Sequence, residues 1–187
     1  SVGSDEALLA DPALVERVKD GGNDEEILEW CCQRGRRPSD EDIEIIRTAG
    51  RLHDIGKIGI REEVLAKQGP LTPAEYEHVK DHVIIGTQIL APLAHLHGAI
   101  ACMRSHHERW DGEGYPDRLR GEDIPLGARI LGIAEIFDAL TTSRPYQEKM
   151  PANFAVDRLR DLAGTAVDPA VFAGLEAVIA RRQTLVF

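Results

Sequence analysis

The chain has no apolar run near the roughly 18 to 20 residues that a membrane-spanning helix needs, and no such helix is expected. It shows no basic-then-apolar leader; its start, SVGSDEALLA, reads as a cut end or a leftover linker. Aromatic residues are scarce at 5%, which leaves a core built from Leu, Ile, Val and Ala. There are only three cysteines, Cys31, Cys32 and Cys102. Their number excludes a disulfide framework and their spacing fits no metal site, so they are expected to be reduced apolar filler in a cytoplasmic protein. Positive charge is also short. With 22 Lys and Arg against 32 Asp and Glu the net charge is −10, which argues against DNA and against anionic membranes as partners. A phosphate-bearing ligand would need a locally positive site made by metal or by a few basic side chains.

What is present is helical spacing. At 187 residues with 43% hydrophobic and 29% charged content, the chain is expected to form one domain with a full core. Ser39 is expected to cap a helix from Asp40 to about His53, with Ile43, Ile46, Gly50 and His53 on one face. Thr72-Pro73-Ala74-Glu75 is a strong start signal, Thr capping, Pro in the first turn and Glu closing a capping box. The helix behind it is expected to turn Tyr76, Val79, Val83 and Leu90 inward, with His82 beside them. Pro92 is read as opening a helix that places Leu96, Ile100, Met103 and His107 on one face. Gly and Pro crowd residues 111–127, a long loop and therefore a functional candidate. Helices follow from Pro125 to about Thr142, and from Pro151 and Pro169. The fold class expected is all-α, a helical bundle with one long loop.

Singly, each histidine is more often a packing residue than a ligand. Together, His53, His82, His106 and His107 lie on or beside apolar faces, and buried imidazoles need partners. His78, His95 and His97 fit this pattern less well and are expected to be surface or packing residues. In GIAEIFDAL, residues 132–140, Glu135 and Asp138 share one face of an otherwise apolar helix. With Asp54 beside His53, six donors accumulate: His53, Asp54, His82, His106, His107 and Glu135. That is more than one tetrahedral ion with an open position uses, and it suits two divalent transition metals bridged by Asp54. Mixed imidazole and carboxylate donors favour Fe or Mn, with Ni, Co or Zn as alternatives.

HDIGKIGI, QGPLT, His82 followed by Gly86, HHERWDGEGYP, IPLGARILGIAEIFDALT and SRPY follow one another in an order that resembles the HD-GYP domain of the HD phosphohydrolase superfamily, over about residues 40–170. The resemblance implies an HD-domain bundle with a GYP loop. It implies metal-dependent hydrolysis of cyclic di-GMP to pGpG and onward to GMP, with the same six residues as metal ligands. Lys57 and Asp54 would then be catalytic, and Gly114, Tyr115, Asp138 and Arg144 substrate-binding. A cyclic dinucleotide, an upstream sensor or receiver domain, signalling proteins and a second copy of the chain are the partners implied. Residues 1–38 are read as divergent or incomplete N-terminal helices, 39–170 as the motif-bearing core and 171–187 as a C-terminal helix.

Three departures from the pattern stand out: Glu135 where members commonly have Asp, Gln147 where a basic residue is common, and no histidine before His53. The acidic stretch VKDGGND at 18–24 offers no imidazole, and a segment near Gly21-Gly22 is missing or one metal is under-liganded. A catalytically weak module that signals by binding, and a hydrolase of another cyclic dinucleotide, remain open beside the leading reading.

Overall fold

The computed structural model describes residues 40–142 and 150–184. Ser39, the stretch 18–24, Cys31, Cys32, Arg144 and Gln147 lie outside the described residues. Among the described residues the fold is all-α, with no strand beyond an isolated bridge between Ala163 and Val167. The helices are α1 (Asp40–Leu52), the short α2 (Glu62–Leu65), α3 (Pro73–Leu90), α4 (His97–Arg104), α5 (Leu126–Thr141), α6 (Ala152–Leu162) and α7 (Pro169–Thr184). A 3-10 turn at Ile55–Gly59 follows α1 and packs on α3.

Local chemistry sets these boundaries. Thr72 accepts from the Glu75 amide at 3.3 Å while the Glu75 carboxylate accepts from the Thr72 amide at 2.7 Å, the expected capping box. Lys67 donates to the same carboxylate at 2.5 Å, and these bonds hold Glu75 down to about 2. Helices α6 and α7 begin at or just after Pro151 and Pro169, as expected. Pro92, by contrast, does not open α4. A 3-10 turn at Ala94–Leu96 intervenes, because Leu93 takes a ψ of 85° and interrupts the helical path. Helix α4 ends at Arg104, where Ser105 leaves helical geometry with φ −108° and ψ 9°, and His106 and His107 lie in the turn beyond it rather than on a helical face.

Helix α5 is the central element. It is apolar nearly all round, as buried helices are. Ile130 and Ile133 join Ile43 and Ile46 of α1, Leu159 of α6 and Phe172 of α7 in one cluster. Leu131, on the opposite face, joins Ala49, Ile100, Met103 and Cys102 in another. Cys102 is thus core filler, and burial pushes its thiol up to about 11. A Cβ on Gly127 would stand 2.5 Å from the Cys102 sulfur, so only glycine lets α5 approach α4 this closely. Ile130 has no exposure at all, and burying such a side chain stabilises by about 1.5–3 kcal/mol.

The long loop between α4 and α5 is docked. Trp110 and Asp111 donate to the carbonyls of Ala166 and Thr165 at 3.3 and 2.8 Å. Arg129 of α5 donates to Asp168 at 2.8 Å, and Asp168 also accepts from the Ala170 amide at 2.7 Å, which ties α5 to the start of α7. Loop and bundle meet around one cavity.

Candidate metal centre and cavity

Three histidines are oriented by their own backbone. His53 Nδ1 donates to the Gly50 carbonyl at 2.8 Å, His82 Nδ1 to Val79 at 2.7 Å and His106 Nδ1 to Met103 at 2.6 Å. A carbonyl only accepts, so each Nδ1 carries the proton and each Nε2 keeps its lone pair. His53 and His106 stand just past the ends of α1 and α4, where terminal carbonyls lack helical partners. The side chains that satisfy them are thereby aimed. This is the outer-sphere arrangement that fixes imidazoles as metal ligands.

The lone pairs converge. His82 Nε2 lies 3.7 Å from Asp54 Oδ1, His53 Nε2 3.5 Å from Asp54 Oδ2 and His106 Nε2 3.9 Å from Glu135 Oε2. His107 presents Nδ1 to the same Glu135 oxygen at 3.7 Å. All six expected donors are brought together from the end of α1, α3, the turn after α4 and α5. Five of them form two overlapping groups, His53 with Asp54 and His106, and His82 with His106 and His107, each with donor atoms within 4.8 Å of one another, and Glu135 stands beside His106 and His107. Asp54 Oδ1, His82 Nε2 and His106 Nε2 are buried with no hydrogen-bond partner. Uncompensated buried polar atoms are costly, and a shared cation compensates all three. The donor set fits divalent metal.

The electrostatics agree with this. Burial, then the neighbouring imidazoles, depress His106 and His107 to about 3, so both are neutral and ready to ligate. Burial opposes ionisation of Asp54, but the Lys57 ammonium and the nearby imidazoles outweigh it and hold the carboxylate below its ordinary range. Lys57 Nζ donates to Asp54 Oδ2 at 2.6 Å. Asp54 therefore divides its oxygens, one toward Lys57 and His53, the other toward His82.

Glycines set the distances, through contacts between segments far apart in the chain. A Cβ on Gly56 would overlap the His82 carbonyl, so the turn carrying Asp54 reaches α3 only without one. A Cβ on Gly132 would stand 2.8 Å from the His106 carbonyl, so glycine there lets α5 bring Glu135 to the histidines.

From this cluster a cavity of about 920 Å³ opens between α3, α5 and the long loop, walled by His106, His107, Glu135, Tyr115, Trp110 and Asp168 among others. Tyr115 stacks on His107 with ring centroids 4.8 Å apart, and burial raises its phenol, which stays protonated. Gly114 also lines the cavity and is buried; a Cβ there would collide with Glu108 and Arg109, so it closes the loop. Asp138 is not in the cavity wall; its carboxylate accepts from the Thr142 hydroxyl at 3.2 Å. Tyr76, expected inward, is 49% exposed and faces the cavity instead. Of the remaining histidines, His95 and His97 are exposed, and His78 accepts from the Arg61 amide at 3.2 Å; all three stand outside the cluster.

An all-α bundle that gathers a His-Asp pair with further histidines on facing elements defines a class of metal-binding helical domains. Residues 4–171 match the family model described as HD domain, and the chain belongs to that family. It is 43% identical over 130 residues to a cyclic di-GMP phosphodiesterase of Thermotoga maritima, covering 67% of this chain and 35% of that protein. It is 40% identical over 141 residues to the 3'3'-cGAMP-specific phosphodiesterase 3 of Vibrio cholerae, covering 75% of this chain and 31% of that protein. The chain thus spans about a third of the length of the curated relatives it matches. Among solved structures it superimposes on Bd1817, an HDG"Y"P protein of Bdellovibrio bacteriovorus, with a TM-score of 0.62 at 19% identity, covering 95% of this chain and 52% of that one. That likeness is one of fold. No helix among the described residues is long and apolar enough to cross a membrane.

Proposed function

We propose that this chain is the catalytic module of a metal-dependent phosphodiesterase that opens cyclic di-GMP to pGpG and carries it onward to GMP. The observation that carries the reading is the set of three imidazoles whose Nδ1 protons are taken by backbone carbonyls, with two buried Nε2 atoms and the Asp54 Oδ1 left unpartnered between them. His53, Asp54, His82, His106, His107 and Glu135 would hold two divalent ions, Fe or Mn before Ni, Co or Zn. Divalent ions held there supply Lewis acidity and activation of water for phosphodiester hydrolysis. The chain's own part is positioning. Lys57 holds Asp54 ionised and contributes positive charge beside the cleaved phosphate. Tyr115, stacked on His107 with its phenol protonated, offers a donor and an aromatic face to a base or ribose. Gly114 shapes the loop beneath it, Asp138 positions the end of α5, and Arg144 is assigned to a phosphate.

The choice of cyclic di-GMP over 3'3'-cGAMP is supported by the resemblance in motifs, while relatives of both specificities are similar to the chain. The test is turnover by the Fe²⁺- or Mn²⁺-loaded protein of cyclic di-GMP, 3'3'-cGAMP and cyclic di-AMP, with product identified by chromatography and activity abolished by chelator. Hydrolysis of 3'3'-cGAMP alone moves the substrate assignment. Binding of cyclic di-GMP without turnover under either metal makes the chain a signalling module instead.

A further inference from the structure

Four basic side chains line the cavity: Lys80, Arg109, Arg118 and Arg129. Three of them are already neutralised. Lys80 pairs with Glu77 at 2.6 Å, Arg109 Nε with Asp111 at 3.0 Å, and Arg129 with Asp168 at 2.8 Å. Arg118 alone among these four has no carboxylate partner among the described residues, and it stands exposed at the loop side of the cavity. Its backbone is also exceptional. With φ at 56° it is the one non-glycine residue in the left-handed region among the described residues. L side chains disfavour that conformation and glycine does not. What holds it there is Glu108, buried beneath the loop, whose carboxylate accepts the amides on either side, Asp117 at 2.6 Å and Leu119 at 3.1 Å.

A strained backbone stabilised from below, carrying an unpaired cation into the wall of a cavity, points to a ligand. On a chain of net charge −10 an unneutralised guanidinium in a cavity is a focus for anions, and its planar fork of donors suits phosphate oxygens. A cyclic dinucleotide carries two phosphodiesters. The reacting one would lie at the divalent ions that the histidine and carboxylate side chains would hold.

We propose that Arg118 is a specificity-determining residue that binds the second, non-reacting phosphodiester of the substrate. The proposal rests on the phosphodiesterase reading above and adds to it how the substrate's other half is held.

The experiment compares wild type, Arg118→Gly and Arg118→Lys, each metal-loaded, on cyclic di-GMP and on bis(p-nitrophenyl) phosphate, which has one phosphodiester and no second. Arg118→Gly removes the cation and suits the left-handed backbone, so it is expected to melt no lower than wild type and to keep its metal. The ratio of kcat/KM for cyclic di-GMP to that for the aryl diester is expected to fall about tenfold to a hundredfold, mainly through KM, the loss typical of one charge-assisted bond. Arg118→Lys is expected to recover part of it. An unchanged ratio overturns the proposal, and so does a fall accompanied by lost metal or a lower Tm. A wild-type protein that cleaves the aryl diester but not cyclic di-GMP overturns the proposal while leaving phosphodiester chemistry standing. One that cleaves neither overturns the functional reading, and the proposal with it.

Discussion

His82 Nε2 and Asp54 Oδ1 face each other across 3.7 Å, both buried and neither hydrogen-bonded to anything. The imidazole cannot donate from that nitrogen, because its proton is on Nδ1 with the Val79 carbonyl. Two acceptors aimed at one point repel unless a cation lies between them. Purified protein is therefore expected to carry transition metal by elemental analysis, and His82→Ala to lose most of it. His95→Ala, on an exposed side chain, is expected to keep it. Equal metal content in both variants removes His82 from the site.

The glycines that bring the donors together are a second test, since they ligate nothing. Gly56→Ala drives a methyl into the His82 carbonyl, and Gly132→Ala one into the His106 carbonyl. Backbone cannot give way cheaply, so the donors move apart, by about an ångström at Gly56 and by less at Gly132. A misplacement of about 1 Å can cost about a hundredfold in rate. Each variant is expected to stay helical by circular dichroism while turnover falls on that scale. Full turnover in Gly132→Ala shows that the position of α5 does not set the site.

How far these features were legible in the chain depends on what produces them. The adjacent pairs His53-Asp54 and His106-His107 are legible as neighbours in the chain, His82 and Glu135 through helical spacing, and the capping box at Thr72 because it is local. Spacing puts His107 on a helical face with His106 beside it, yet both sit past the end of α4, because Ser105 already leaves helical geometry. Tyr76 was expected inward from its spacing with Val83. Periodicity locates the apolar stripe of α3 but does not show that its first turn borders a cavity rather than a neighbouring helix. The roles of Gly56, Gly132 and Glu108 are contacts between segments distant in sequence, and no local pattern encodes them.

Acid should unfold the metal-free protein through its histidines. His106 and His107 lie near 3 in the fold, below the ordinary value of 6.5, because burial and neighbouring imidazoles disfavour their charged forms. Between those values the unfolded chain binds more protons than the native one, so stability rises with pH across the window. The contribution is fully present above about 6.5 and is lost as pH falls toward 3. The Tm of chelated protein is expected to drop steadily from pH 7 to pH 4, and His106→Phe to flatten part of that slope. A Tm independent of pH over this range refutes the buried neutral pair.

Lys57 separates chemistry from metal binding. Its ammonium is 2.6 Å from Asp54 Oδ2, so it neighbours a candidate ligand, yet a cation does not ligate a cation. Removing it frees Asp54 Oδ2, which leaves the carboxylate at least as available to metal as before. On the proposed function, what is lost is positive charge beside the phosphate being cleaved. One charge-assisted hydrogen bond to a phosphoryl oxygen contributes about 1.5–3 kcal/mol, roughly tenfold to a hundredfold in rate. Lys57→Ala is therefore expected to lower kcat on that scale at wild-type metal content, with KM nearly unchanged if the contact forms mainly in the transition state. Loss of metal in Lys57→Ala, with unaltered turnover per bound metal, makes Lys57 a structural partner of Asp54 and leaves the charge at the phosphate to another residue.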